Sequence, residues 1–159
     1  MGNYQLLQQT HLNVDVQIPD HPVWTLGETA ACERIFLNLF QNAGRYADTI
    51  FQIYFIEPNI EPEKENEWVS IFFENDTCTL TEEDISHLFE RFYIQDSSRG
   101  QGGTGLGLTV ARSLAEQMEG QLMVTAKKSV DHTNDMPDGT EQVQYVCFEL
   151  RLKRIILDK

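Results

Sequence analysis

The sequence predicts an α+β two-layer sandwich, a mixed and largely antiparallel sheet covered on one face by helices. Strand-like and helix-like patterns follow the order β, α, β, β, short α, glycine loop, α, β, β. Strands therefore arrive in adjacent pairs with helices between them, and the strict alternation that builds a parallel doubly wound sheet is missing. The length, 159 residues, suits one domain with one core. At 41% hydrophobic and 23% charged residues, the composition is neither disordered nor fibrous. No repeat or low-complexity block interrupts the chain, so 1–159 reads as a single domain with its core over about 12–152.

Each element has its own signal. Residues 12–18 alternate apolar and polar with period two, as a half-buried strand does, and Pro19-Asp20-His21-Pro22 breaks the pattern. Over 28–47 Ile35, Leu39 and Ala43 recur at four-residue steps with Phe36 and Phe40 beside them, which predicts an amphipathic helix ending at Asp48. Residues 49–56 are rich in β-branched and aromatic side chains and predict a strand; 57–67, with its acids and prolines, is a surface connection. Residues 68–75 form the next strand, with Val69, Ile71, Phe73 and Asn75 on one face.

Thr81-Glu82-Glu83-Asp84 opens a short helix that Thr81 can cap, and Phe89, Phe92 and Tyr93 crowd its end. Residues 95–105 lack any period and read as a mobile loop. Helix returns from Gly105 or Leu106 to Glu119, with Gly120 expected as the left-handed residue past its end. Residues 121–126 and 144–152 are the last two strands, and the polar link over 127–142 is expected to be a disordered hairpin tip.

Twelve Lys and Arg against 25 Asp and Glu give a formal charge of −13. That field repels phosphate backbones and anionic lipid, which disfavours nucleic-acid and membrane-surface binding in the absence of a basic patch. The densest cationic stretch, Arg151, Lys153 and Arg154, reads as a solvated strand end. No apolar run approaches the ~20 residues that span a bilayer. Three scattered cysteines, Cys32, Cys78 and Cys147, without a C-x-x-C pair, argue against a disulfide framework or zinc cluster and for thiols in a reducing cytoplasm.

Two stretches carry chemistry. The first is the run Arg99-Gly100-Gln101-Gly102-Gly103-Thr104-Gly105-Leu106-Gly107, with five glycines in the eight residues 100–107. Free backbone amides feeding a helix N-terminus make a phosphate cradle. The string Gly100-x-Gly102-x-x-Gly105 matches the dinucleotide fingerprint, but it follows a loop and no acid lies ~20 residues on. A P-loop fails as well, because Leu106 stands where its lysine would be. The second stretch is Asn38-Leu39-Phe40-Gln41-Asn42-Ala43-Gly44-Arg45-Tyr46. Asn38, Asn42 and Arg45 share a helical face; a carboxamide oxygen suits Mg²⁺ and a guanidinium suits a polyphosphate.

With these residues in place the sequence resembles a known family, the catalytic ATP-binding domain of sensor histidine kinases, within the GHKL-type ATPases shared with gyrase, mismatch-repair and chaperone ATPases. Asn38-Leu39-x-x-Asn42-Ala43-x-Arg45-Tyr46 looks like the N box, Leu88-Phe89-Glu90-Arg91-Phe92-Tyr93 like the F box, and Gly103-Thr104-Gly105-Leu106-Gly107-Leu108 like the G2 box. The resemblance implies that Asn42 holds Mg²⁺, Asn38 and Arg45 meet phosphate, and Tyr46 packs near adenine. It implies that Arg99, Gly100, Gly102, Gly103, Thr104, Gly105, Leu106 and Gly107 wrap the triphosphate of ATP. Phe89, Phe92 and Tyr93 would anchor the lid, hinged at 100–103.

The departure lies in the G1 box, where the family's Asp-x-Gly-x-Gly aligns with Asn75-Asp76-Thr77-Cys78-Thr79. Either Asn75 recognises adenine through its amide, or the site is degenerate and the chain is a pseudokinase or interaction module. A serine-directed relative that inhibits sigma factors shares the N and G2 boxes and is a third reading. The family phosphorylates a histidine on a dimerising hairpin, and the four histidines here, before Leu12, Pro22, Leu88 and Thr133, lack the acid that usually follows the acceptor. The resemblance therefore implies a separate histidine-bearing partner, a response regulator beyond it, and a place in the cytoplasmic part of a membrane-bound sensor. Without the hairpin, the chain is expected to be monomeric, and light scattering at the dimer mass would refute that.

Overall fold

The computed structural model describes residues 12–56, 68–93, 105–127 and 144–155. Its elements are β1 (Asn13–Gln17), α1 (Thr29–Tyr46), β2 (Ile50–Ile56), β3 (Trp68–Asp76), α2 (Glu82–His87), α3 (Gly107–Gln117), β4 (Gln121–Lys127) and β5 (Tyr145–Lys153). The five strands form one sheet in the order β1-β2-β3-β5-β4. β1 runs parallel to β2 and every other pairing is antiparallel. The expected mixed sandwich is the observed fold. The connection expected over 57–67, all but the first residue of that over 127–142, and most of the loop at 95–105 lie outside the described residues; Lys127 instead ends β4.

Alternation on the strands builds the core. Val69, Ile71, Phe73 and Asn75 of β3 and Val146, Phe148, Leu150 and Leu152 of β5 are all buried. Ile35, Leu39 and Ala43 of α1 and Ala111 and Ala115 of α3 join the same cluster. Phe36 and Phe40 bridge helix to sheet, their ring centroids 5.5 and 6.2 Å from that of Phe73. Each fully buried side chain of this size contributes about 1.5–3 kcal/mol of transfer free energy. The opposite face carries a polar mesh, in which Tyr54 stacks on Phe72, Lys127 pairs with Glu74, and Ser70 and Arg151 donate to Glu149. Cys147 is buried on that face, and desolvation pushes its thiol up to about 11, so it stays protonated and inert. Among the described residues all three cysteines are free.

The end of α3 departs from expectation. The left-handed residue is Glu119 (φ 56°), not Gly120. The amide of Glu119 donates to Glu116 O and that of Gly120 to Ala115 O, the two bonds of a Schellman cap. Gly120 is needed for closeness, since a Cβ there would lie 2.6 Å from the Arg151 carbonyl oxygen. Helix end and strand thus meet backbone to backbone.

A single carboxylate ties the other end of the sheet. Asp76, the last residue of β3, accepts from the amides of Asp48, Thr49 and Ile50 at 3.2, 3.0 and 2.8 Å, and from the Thr49 hydroxyl. Burial resists ionisation, but these donors outweigh it and hold the carboxyl below its ordinary value. A depressed carboxylate stabilises the fold above the unfolded pKa and loses that contribution as pH falls through the folded one. Asp76→Ala should cost about 2–3 kcal/mol in urea unfolding at pH 7, because three amides lose a charged acceptor. The gap from wild type should narrow below pH 4; a gap independent of pH would contradict this role.

Candidate functional site

The site grows from a second buried stripe on α1. Asn38 and Asn42, one turn apart, are 6% and 9% exposed, so the face expected to carry polar chemistry is enclosed rather than open. What encloses it is α3, packed against α1. A Cβ on Gly107, the first residue of α3, would stand 3.1 Å from Asn38 Oδ1, so a bare backbone is what lets this helix begin on the carboxamide. Asn38 Nδ2 is buried and has no hydrogen-bond partner among the described residues. Such a donor costs about 1–3 kcal/mol when left unmet.

The start of α3 has no side-chain cap from Leu106 and no acid in its first turn. The first-turn amides and the positive end of the helix dipole lie next to the orphan carboxamide, an environment that favours an anion. Arg45 lies in the last turn of α1, and Tyr46 after it is buried. α1 then leads through Asp48 to the end of β3, where Asn75 is 2% and Thr77 4% exposed. Asn75 Nδ2 donates to Asp76 O at 2.8 Å. Asp76 cannot take the place of Asn75, since its carboxylate is committed to the turn before β2.

The aromatic segment after α2 is fastened to α3. Thr81 and Asp84 form a capping box at the start of α2. The Tyr93 hydroxyl donates to Asp84 Oδ1. Burial opposes ionisation of Asp84, yet Tyr93 and the Thr81 amide and hydroxyl together hold it below its ordinary value. Phe89 packs edge-on to Phe148, lies beneath the Arg112 guanidinium, and its carbonyl accepts from Thr109 Oγ1 at 2.9 Å. The amide of Phe92 donates to Gly105 O at 2.9 Å, so residues 92 and 105 are pinned together.

The Phe92 ring itself is 72% exposed. Of these three residues, Phe89 and Tyr93 make their contacts through side chains, whereas Phe92 (φ 65°) is bonded through its backbone. Gly105, Leu106 and Gly107 stand where the cradle was expected to meet its helix. Arg99, Gly100, Gly102, Gly103 and Thr104 lie outside the described residues. Thr109 was not singled out in the sequence, and nothing local marks its bond; Thr77 entered there only as a residue standing where the family has glycine.

Comparison with known proteins places the fold in a family. Residues 27–154 match the family described as histidine kinase-, DNA gyrase B-, and HSP90-like ATPase, and the chain belongs to that family. It is 29% identical over 126 residues to the sensor histidine kinase YcbM of Bacillus subtilis, covering 78% of this chain and 39% of that protein. Against the sensor protein VanSC of Enterococcus gallinarum it is 32% identical over 124 residues, 77% of this chain and 32% of that one. The chain thus spans about a third of the length of these relatives. A structure of the mycobacterial sensor histidine kinase MprB shares the fold with a TM-score of 0.73 at 15% identity, covering 97% of this chain and 91% of that one.

Gly105 is the most exacting position. Its φ is +66° and a Cβ would lie 2.6 Å from Phe92 C. Gly105→Ala should cost about 1–2 kcal/mol from the left-handed backbone alone, and more from the overlap. Hydrogen exchange should rise at 88–93 and at the start of α3 while the strands stay protected. Unchanged exchange at those residues would show that the contact does not hold the two segments.

Proposed function

We propose that this chain binds Mg-ATP at the meeting of α1, α3 and the end of β3, and transfers the γ-phosphate to a histidine on a separate dimerising domain. The observation that carries the reading is the enclosed Nδ2 of Asn38, without a partner among the described residues, beside Gly107 at a helix start that Leu106 does not cap. A phosphate oxygen would satisfy both at once. Asn42 would give its carboxamide oxygen to Mg²⁺, and Arg45 a charged donor to phosphate. Among the described residues no group of three or more His, Cys, Asp and Glu could hold a metal, so the ion would rest on Asn42 and on phosphate oxygens. Bound Mg²⁺ supplies charge neutralisation for in-line phosphoryl transfer.

Asn75 and Tyr46 would meet the base. Thr104 and the cradle over 99–107 would follow the triphosphate, and the pinned pair Phe92–Gly105 would hold both ends of the lid. Phosphoryl transfer asks for positioning and neutralised charge rather than a protein nucleophile, which fits a site of amides and an arginine. The acceptor histidine, the response regulator and the sensor are assigned to other parts of the system. No described helix is long and apolar enough to cross a membrane, and we place the chain in the cytoplasmic part of a sensor.

A thermal-shift titration tests the reading. A nucleotide at 100 times its dissociation constant should add about 2.7 kcal/mol of apparent stability, and most of the gain should require Mg²⁺. Asn42→Ala should weaken Mg-ATP binding at least about tenfold, the scale of one lost charged hydrogen bond, while leaving magnesium-free binding nearly unchanged. Phosphate should then appear on an added histidine-bearing hairpin. No shift at millimolar nucleotide would instead define a domain that folds without catalysis.

A further inference from the structure

The base side of the proposed site lacks the one group that would make it strict. A carboxylate can only accept hydrogen bonds, so it rejects a purine that presents a carbonyl oxygen. Here the position is Asn75, and the neighbouring Asp76 is spent on the Asp48, Thr49 and Ile50 amides and the Thr49 hydroxyl. One hydrogen of the Asn75 amide goes to Asp76 O at 2.8 Å, which leaves Oδ1 as a neutral acceptor and the second N–H as a donor.

Thr77 lies two residues on and is 4% exposed. Its hydroxyl oxygen accepts from the Thr79 amide at 3.3 Å. Its other side-chain contact is a long one of 3.5 Å to Thr79 Oγ1. The hydroxyl hydrogen is therefore available to a better acceptor. Two buried polar groups thus lie two residues apart in the chain, one able to accept and the other able to donate.

We propose that Asn75 and Thr77 form a permissive purine wall, and that this chain binds 6-oxopurine nucleotides as well as adenine nucleotides. The inference rests on the nucleotide reading above. An exocyclic amino group would donate to Asn75 Oδ1, and a 6-carbonyl oxygen would accept from Thr77 Oγ1. Neither base meets a negative charge. A site that leaves no polar group stranded against either analogue discriminates weakly between them.

The test is calorimetric titration of the chain with Mg-ADP and with Mg-IDP, which differ at purine position 6. Dissociation constants within about tenfold of each other are expected, since only neutral hydrogen bonds separate the two. Thr77→Val, nearly isosteric and at home beside a strand, should weaken IDP at least fivefold relative to ADP. Asn75→Asp should widen the preference for ADP beyond that of the wild type. Should Asn75→Asp fail to fold, the wild-type ratio and Thr77→Val still decide the question. Tight ADP binding with IDP more than tenfold weaker would overturn the permissive wall and leave the nucleotide site standing. An equal loss of both ligands in Thr77→Val would also overturn it. If neither nucleotide binds the wild type, the site reading fails, and this inference with it.

Discussion

The site depends on one contact, the seating of Gly107 against the Asn38 carboxamide. Two helices from distant parts of the sequence meet there through the Asn38 side chain and a bare glycine backbone. The consequence is electrostatic as well as steric. Among the described residues, an amide donor is sealed from water without a partner, and no side chain caps the helix N-terminus beside it. In a core chosen only for stability, either group would be matched by a protein partner or replaced by an apolar one. Leaving both unmet costs folding free energy, and an anionic ligand is what would return it.

The sheet serves that contact by fixing where α1 and α3 begin and end. Asp76 gathers the three amides that follow α1, so the C-terminal turn bearing Asn42, Arg45 and Tyr46 is set against the end of β3. At the opposite end, Gly120 brings the Schellman-capped end of α3 onto the Arg151 backbone. The aromatic segment is held independently, through Phe89 and Thr109 to α3 and through Tyr93 and Asp84 to α2. Phe92 and Gly105 are joined backbone to backbone beside that segment.

Membership in the histidine kinase-, DNA gyrase B-, and HSP90-like ATPase family gives this arrangement its setting, and the G1 region is where the chain goes its own way. An acid and two glycines would give a charged, closely approachable base wall. On the proposed reading Asn75, Thr77 and Thr79 would give a neutral one, with the nearby negative charge of Asp76 diverted into holding the fold. Binding would then lean on the phosphate end proposed for Asn38, Asn42, Arg45 and the start of α3.

Much of this was written in local pattern. Period-two alternation on β3 and β5 and the four-residue steps of α1 mark the faces that become core, because side-chain direction follows from backbone geometry alone. The spacing of Asn38, Asn42 and Arg45, and the glycines before α3, follow from the same geometry. What only the tertiary structure decided are facts about pairs of residues far apart in the chain. Asn38 becomes buried because α3 covers it; Asp76 anchors the turn before β2; Glu119 takes the left-handed conformation while Gly120 packs against β5; and Phe92 is held by its backbone while its ring faces solvent. Periodicity reports which way a side chain points, whereas partners, burial and strain depend on what the rest of the chain brings to meet it.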